Sequence, residues 1–237
     1  MDHCPRCGLT KETYEKLLKF ACPDCYQVFE PNLGRFHLLQ RQNPSQERVP
    51  RFPWLSKSYR IRITRSFRQG FFTYYERRQE EVETLLTKNG FTLGEKVSHT
   101  FGNHRFYQDG EDHLRWECIS HSLPLIISDR FRIQNILFQA KLWAWKAEIG
   151  FLNSCPSNCG RGDRLSVQAL LPVQSWTDWQ NFQGKWEGSG ILCIVPNTKG
   201  EGENTGTNQF LVQISIKNAV PAQKLRFFKI LGLLGLA

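Results

Sequence analysis

The sequence predicts an α+β protein, an antiparallel β-sheet flanked by helices, with a small four-cysteine zinc module at its N-terminus. Three observations predict it. Polar and apolar residues alternate over 58–65, 111–119, 165–171 and 210–216, which is the pattern of a strand with one buried face. Helix-period stretches fall among these segments without a regular strand–helix–strand rhythm, and that favours an antiparallel sheet over a parallel one. The pairs Cys4–Cys7 and Cys22–Cys25 each have CxxC spacing.

Taken in order, the cysteine pairs come first. Two residues between cysteines let each pair wrap one ion as a tight knuckle, and two knuckles complete a tetrahedral four-thiolate zinc site. Such a site has no open position for water, so the metal is structural. A redox CxxC is the competing reading; two pairs at this spacing fit metal better. Residues 40–53 hold Pro44, Pro50 and Pro53 among polar residues and read as a linker. The expected domains are 1–50, zinc module and linker, and 51–237, the larger unit.

In Ser58-Tyr59-Arg60-Ile61-Arg62-Ile63-Thr64-Arg65 the alternation puts Arg60 and Arg62 on one face. Two guanidiniums on neighbouring same-face positions suit phosphate oxygens. Residues 73–89, closed by Gly90, predict an amphipathic helix. If 111–119 is extended, Glu111, His113, Arg115 and Glu117 share one face, with Leu114, Trp116 and Cys118 on the other. His113 is expected to hold a backbone carbonyl, and Cys118 and Cys193 to pack as buried thiols. Ser128 or Asp129 caps a predicted helix running to about Glu148, with Ile133, Ile136, Leu137, Ala140 and Trp143 on its core stripe. The loop from Cys155 to Asp163 carries Gly160 and Gly162, which let backbone approach a ligand closely, and feeds a strand that presents Arg164. A helix over 174–186, strands at 191–195 and 210–216, and a helix from Pro221 complete the chain. The apolar tail after Ile230 is expected to dock as the end of that helix.

At 237 residues and 40% hydrophobic, the chain can bury a substantial core. Its net charge of +9 suits nucleic acid, nucleotide or phosphoprotein without choosing among them. No apolar run is long enough to span a membrane, and the start lacks the basic-then-apolar pattern of a secretory signal. The sequence therefore reads as cytoplasmic.

The motifs occur in an order that resembles the ATP:guanido phosphotransferases, the phosphagen kinases and the bacterial protein arginine kinase, with the latter the nearer variant. The resemblance spans about 55–235. It is carried by Ser58-Tyr59-Arg60-Ile61-Arg62-Ile63-Thr64-Arg65, by Glu111-Asp112-His113-Leu114-Arg115, by Cys155-Pro156-Ser157-Asn158 through Arg164-Leu165-Ser166-Val167, and by Gly200-Glu201. It implies a phosphagen-kinase-like catalytic domain that uses ATP and Mg²⁺, with Ser58, Arg60, Arg62, Arg115 and Arg164 around the nucleotide. It also implies that Glu111 and Glu201 clamp the acceptor guanidinium and that Cys155 orients it, the acceptor being arginine within a protein. The first cysteine segment resembles the zinc finger of the activator protein that accompanies bacterial protein arginine kinases, which implies Zn²⁺ and contact with a kinase, an activator or a second copy. Departures from the family are Pro196 where an arginine is usual, Gly110 before Glu111, the extra cation Arg161, and an end near residue 237 without a further C-terminal domain. Lys199 is the candidate substitute for that arginine.

Two other readings stay open. A pseudokinase would bind nucleotide or a partner kinase through the same pocket without efficient transfer. A nucleic-acid-binding protein would use the zinc module and a basic strand, with affinity falling steeply as salt rises.

Overall fold

The computed structural model describes residues 2–33, 50–72, 76–94, 96–99, 102–108, 111–124, 126, 133–186, 191–194 and 209–237. The N-terminal segment holds α1 (Lys11–Leu17) and α2 (Cys25–Phe29). The larger part contains β1 (Ser56–Arg65), α3 (Gln79–Lys88), β2 (Lys96–His99), β3 (Gly102–Tyr107) and β4 (Leu114–Ser120). After these come α4 (Gln134–Leu137), the short strands β5 (Trp145–Lys146) and β6 (Gly150–Phe151), and then β7 (Asp163–Pro172). It closes with α5 (Trp176–Trp186), β8 (Ile191–Ile194), β9 (Gln209–Lys217) and α6 (Pro221–Leu234).

Among the described residues, seven strands form one sheet in the order β2-β3-β4-β1-β7-β9-β8, and every pairing is antiparallel. Alternation decides which way each strand faces. One face turns Ile61 and Ile63 of β1, Leu114 and Trp116 of β4, and Val212 and Ile214 of β9 into the main core. Val82 and Leu86 of α3, Trp179 of α5 and Leu231 of α6 pack in the same cluster. The tail docks as expected: Trp54 Nε1–H donates to the Leu234 carbonyl at 2.6 Å and the Tyr59 hydroxyl to that of Leu236 at 2.5 Å. The opposite face of the sheet carries the arginines.

Several expectations need correction. β4 begins at Leu114, so residues 111–113 form a bend before the strand rather than part of it. His113 does not share the charged face. It is fully buried, and its Nδ1 accepts the Phe67 backbone N–H at 3.0 Å. The long helix reaching Glu148 is replaced by the single turn α4 and the β5–β6 hairpin; Ser128 and Asp129 lie outside the described residues. Sheet-type pairing wins here over the helical pattern, because Trp143 bridges Phe67 and the Ala144 N–H donates to the Ser66 carbonyl at 2.8 Å. Ile133, Ile136, Leu137 and Trp143 are nevertheless all core, while Ala140 is exposed. The hairpin turns over 147–149 and leads into Gly150, where φ is +102° and a Cβ would lie 2.5 Å from the Gly160 carbonyl oxygen.

The helix expected over 73–89 is shorter, starting at Gln79. Glu76 stays out of it, its carboxylate accepting the Phe71 N–H at 2.8 Å.

Candidate active site

Thr10 caps α1, accepting the Thr13 N–H at 3.2 Å, and Tyr14 on that helix stacks between Phe20 and Phe29. This small aromatic core holds the two knuckles together. The sulfurs of Cys4, Cys7, Cys22 and Cys25 all lie within 4.8 Å of one another, with Cys4–Cys22 and Cys22–Cys25 at 3.7 Å and Cys7–Cys25 at 3.4 Å. A tetrahedral zinc with four thiolates at about 2.3 Å requires sulfur separations of about 3.8 Å, so the residues fit the ion.

The module sits against the larger unit. The Phe20 N–H donates to the Ser154 carbonyl at 2.7 Å, the Ser154 hydroxyl returns a bond to the Phe20 carbonyl at 3.1 Å, and the Phe72 N–H donates to the Ala21 carbonyl at 2.9 Å. Phe72, Leu152 and Cys159 share the module's apolar cluster.

On the polar face of the sheet, register builds a row of charge. Glu117 on β4 opposes Arg62 on β1, Arg62 opposes Arg164 on β7, and Arg164 opposes Lys217 on β9. Arg60 lies two residues from Arg62 on the same face and pairs with Glu117. Arg115, opposite Thr64, lies at the row's edge. Like charges directly opposite across strands destabilise a sheet, and here three cations stand side by side in partial burial. Arg164 and Lys217 of this row, and Arg115 beside it, are each shifted toward losing their charge. Burial, and then Arg62, brings Arg115 down to about 10. Burial, Arg62 and Arg60 lower Arg164; burial and Arg164 lower Lys217. The buried Nε–H groups of Arg60 and Arg164 have no hydrogen-bond acceptor among the described residues. Guanidinium groups left in this state suit phosphate or carboxylate oxygens.

A carboxylate-and-thiol corner adjoins the row. Glu111 Oε2 lies 3.7 Å from Arg115 Nη2, and its Oε1 receives the ammonium of Lys19 from the zinc module. Asp112 is fully buried and accepts from Arg115 Nη2 at 3.0 Å and from Asn158 Nδ2 at 3.2 Å. Burial, then the charge of Glu111, pushes Asp112 up to about 7. The cysteine loop is strapped on several sides. Asn153 Nδ2 donates to the Asn158 carbonyl at 2.7 Å, Asn218 Nδ2 to the Ser157 carbonyl at 3.2 Å, and Cys155 Sγ lies 3.2 Å from Ser157 Oγ. Gly162, at φ +62°, passes Arg65 and Thr64 so closely that a Cβ would lie 2.6 Å from Arg65 Nη1. Arg65 itself is structural, buried over the Phe151 ring at 3.6 Å. His113 is held down to about 4 by burial and then Arg78, and stays neutral.

The structure thus brings Arg60, Arg62, Arg115, Arg164, Glu111 and Cys155 to one region of the sheet, with Ser58 on the same face of β1. Glu201, Pro196 and Lys199 lie outside the described residues. Sequence reasoning missed Lys19, Asp112 and Lys217. Lys217 could have been found by continuing the β9 alternation onto the face opposite Ile216 and Ile214. Lys19 carries no local signal.

Residues 104–219 match the model of the ATP:guanido phosphotransferase C-terminal catalytic domain. That stretch takes in Glu111, Arg115, Cys155, Arg164 and Lys217. Residues 2–45 match the McsA central zinc-finger domain. The protein-arginine kinase of Caldanaerobacter subterraneus subsp. tengcongensis is 39% identical over 69 residues, which cover 28% of this chain and 20% of that relative. That of Clostridium kluyveri is 36% identical over 67 residues, covering 27% and 19%. The chain thus matches about a fifth of these relatives' length. Among solved structures, the substrate-free duplicated taurocyamine kinase from Schistosoma mansoni superposes with a TM-score of 0.60 at 16% identity, covering 92% of this chain and 40% of that one. Lombricine kinase superposes at 0.58 and 15% identity, covering 92% and 79%. The fold is that of the guanidino kinases, joined to a zinc-finger module.

Proposed function

We propose that this chain transfers the γ-phosphoryl group of ATP to the guanidinium of arginine side chains in proteins. The observation that carries the proposal is the row of mutually opposed, partly buried cations, Arg62, Arg164 and Lys217, ending beside the Glu111–Cys155 corner. Arg60, Arg62, Arg115 and Arg164 would hold the phosphates and neutralise charge as the phosphoryl group moves in line. Ser58 flanks the nucleotide on the same strand. Glu111, Asp112 and Glu117 each already meet a cation of this site. Mg²⁺ arriving with ATP would therefore keep phosphate and water ligands, as this ion commonly does. Glu111 would hold the acceptor fork in two parallel bonds and take a proton as nitrogen attacks. Glu201 is the second clamp in this reading, and Cys155 orients the acceptor.

In the same reading residues 1–50 form a zinc-bearing module with its linker, 51–237 form the catalytic domain, and the protein works in the cytoplasm. No helix among the described residues is long and apolar enough to cross a membrane. The zinc module would contact a kinase, an activator or a second copy. A regulator that binds nucleotide without transfer is the second reading, favoured by Pro196 where the family has an arginine. Binding to nucleic acid is disfavoured because the site's cations lie half-buried in the sheet and partly paired, not on an exposed stripe.

Steady-state ADP release with an arginine-bearing protein acceptor tests this reading. Glu111→Gln is expected to lower kcat by about a hundredfold or more while leaving the ATP Kd within about threefold. Wild-type binding of ATP without transfer would instead support the regulator.

A further inference from the structure

The zinc module does more than sit beside the site. Its backbone is pinned at Phe20, which exchanges hydrogen bonds with Ser154 in both directions. Ser154 precedes Cys155, so this register delivers the neighbouring Lys19 to the Glu111–Cys155 corner. The Lys19 side chain is only 17% exposed, and its ammonium is bound by Glu111 across 92 residues of sequence. Burial disfavours that ammonium, but hydrogen bonds and charge from Glu111 and Cys155 hold its pKa above the ordinary value. A cation from one module thus fills the seat that a carboxylate and a thiol of the other module offer.

We propose that Lys19 is an internal stand-in for the acceptor. The zinc module fills the acceptor subsite in cis, and an incoming guanidinium must displace Lys19 from Glu111. The inference rests on the reading of Glu111 and Cys155 as that subsite. The exchange is physically reasonable. An ammonium meets a carboxylate as a point donor, whereas a guanidinium offers a planar two-donor fork. A pair that keeps some solvent contact is worth little enough to be exchanged. Lys19 therefore sets specificity: acceptors that bind only through a single cationic donor compete poorly with it, while those presenting the full fork prevail. The coupling is reciprocal, so whatever loosens the module's grip on Ser154 also opens the subsite.

Calorimetry on the zinc-loaded full chain, with Nα-acetyl-arginine amide as the probe, tests the proposal. Lys19→Met and Lys19→Ala are expected to bind the probe about tenfold more tightly than wild type. Lys19→Arg, which keeps a cation in the seat, is expected to bind no more tightly. Equal or weaker binding by both Lys19→Met and Lys19→Ala, at full zinc content, overturns the proposal. A measurement on the wild type guards against misfolded variants: saturating probe should speed chemical labelling of the Lys19 amine, and an unchanged labelling rate would also overturn it. Neither readout needs catalysis. If no variant transfers phosphate but the probe binds Lys19→Met more tightly, the kinase reading fails and this inference stands. If transfer proceeds with the same arginine KM in Lys19→Met, the kinase reading stands and this inference fails.

Discussion

Asp112 shows how a single carboxyl can couple this site to pH. It is fully buried between Arg115 and the cysteine loop, and burial followed by Glu111 raises it from an ordinary value of 3.8 to about 7. A raised carboxyl pKa means that the folded state holds the proton more tightly than the unfolded chain. Its contribution therefore favours folding at low pH and is lost as pH climbs toward and through about 7. Asp112→Asn removes this dependence. The Tm of Asp112→Asn relative to wild type is expected to rise between about pH 5 and about pH 8, as thermal unfolding at each pH would show. A constant difference would mean that Asp112 does not titrate in this window. Asp112 could not be singled out from sequence, because its role depends on Asn158 arriving from 46 residues away. Arg60, Arg62 and Arg164 could be, because alternation alone puts them on the polar face of their strands.

At the scale of elements, the strands were the legible part. Ser56–Arg65, Asp163–Pro172 and Gln209–Lys217 contain the segments predicted from period-two alternation. The segment around Trp143 was misread for a physical reason. Its apolar spacing fits a helix stripe equally well, and only the pairing of Trp143 and Ala144 with 66–67 makes it extended. The bend before Leu114 was misread because polar residues at 111–113 continue the alternation although two of them are buried. The cysteine loop depends on Asn153. Its amide donates to the Asn158 carbonyl at 2.7 Å and to Thr64 Oγ1 at 3.2 Å, and accepts from Ser66 Oγ at 3.2 Å. Asn153→Ala removes all three bonds from this buried site and is expected to cost about 1–3 kcal/mol, read by urea unfolding. The same change should impair transfer through a displaced Cys155 loop while leaving ATP affinity nearly unchanged. A variant with wild-type stability would show that the loop is held by its other bonds.

At the scale of the whole molecule, two units meet at the candidate acceptor subsite, and the module's apolar cluster extends onto Phe72, Leu152 and Cys159 of the larger one. The cysteine spacing was enough to predict the metal cluster, whose four sulfurs converge as expected. Nothing in the sequence shows that Phe20 would pair with Ser154, so the placement of Lys19 on Glu111 emerges only from the folded chain. The central claim is that a cation row on one sheet face directs ATP's phosphoryl group at a guanidinium held by Glu111. It is tested most directly by incubating the zinc-loaded chain with Mg·ATP and an arginine-rich protein, then mapping phosphate by mass spectrometry at neutral pH. The account predicts phosphate on arginine side chains with wild type and about a hundredfold less or lower still with Glu111→Gln over the same incubation. Phosphate confined to serine, threonine or lysine, or an unmodified acceptor despite saturating ATP, would contradict it.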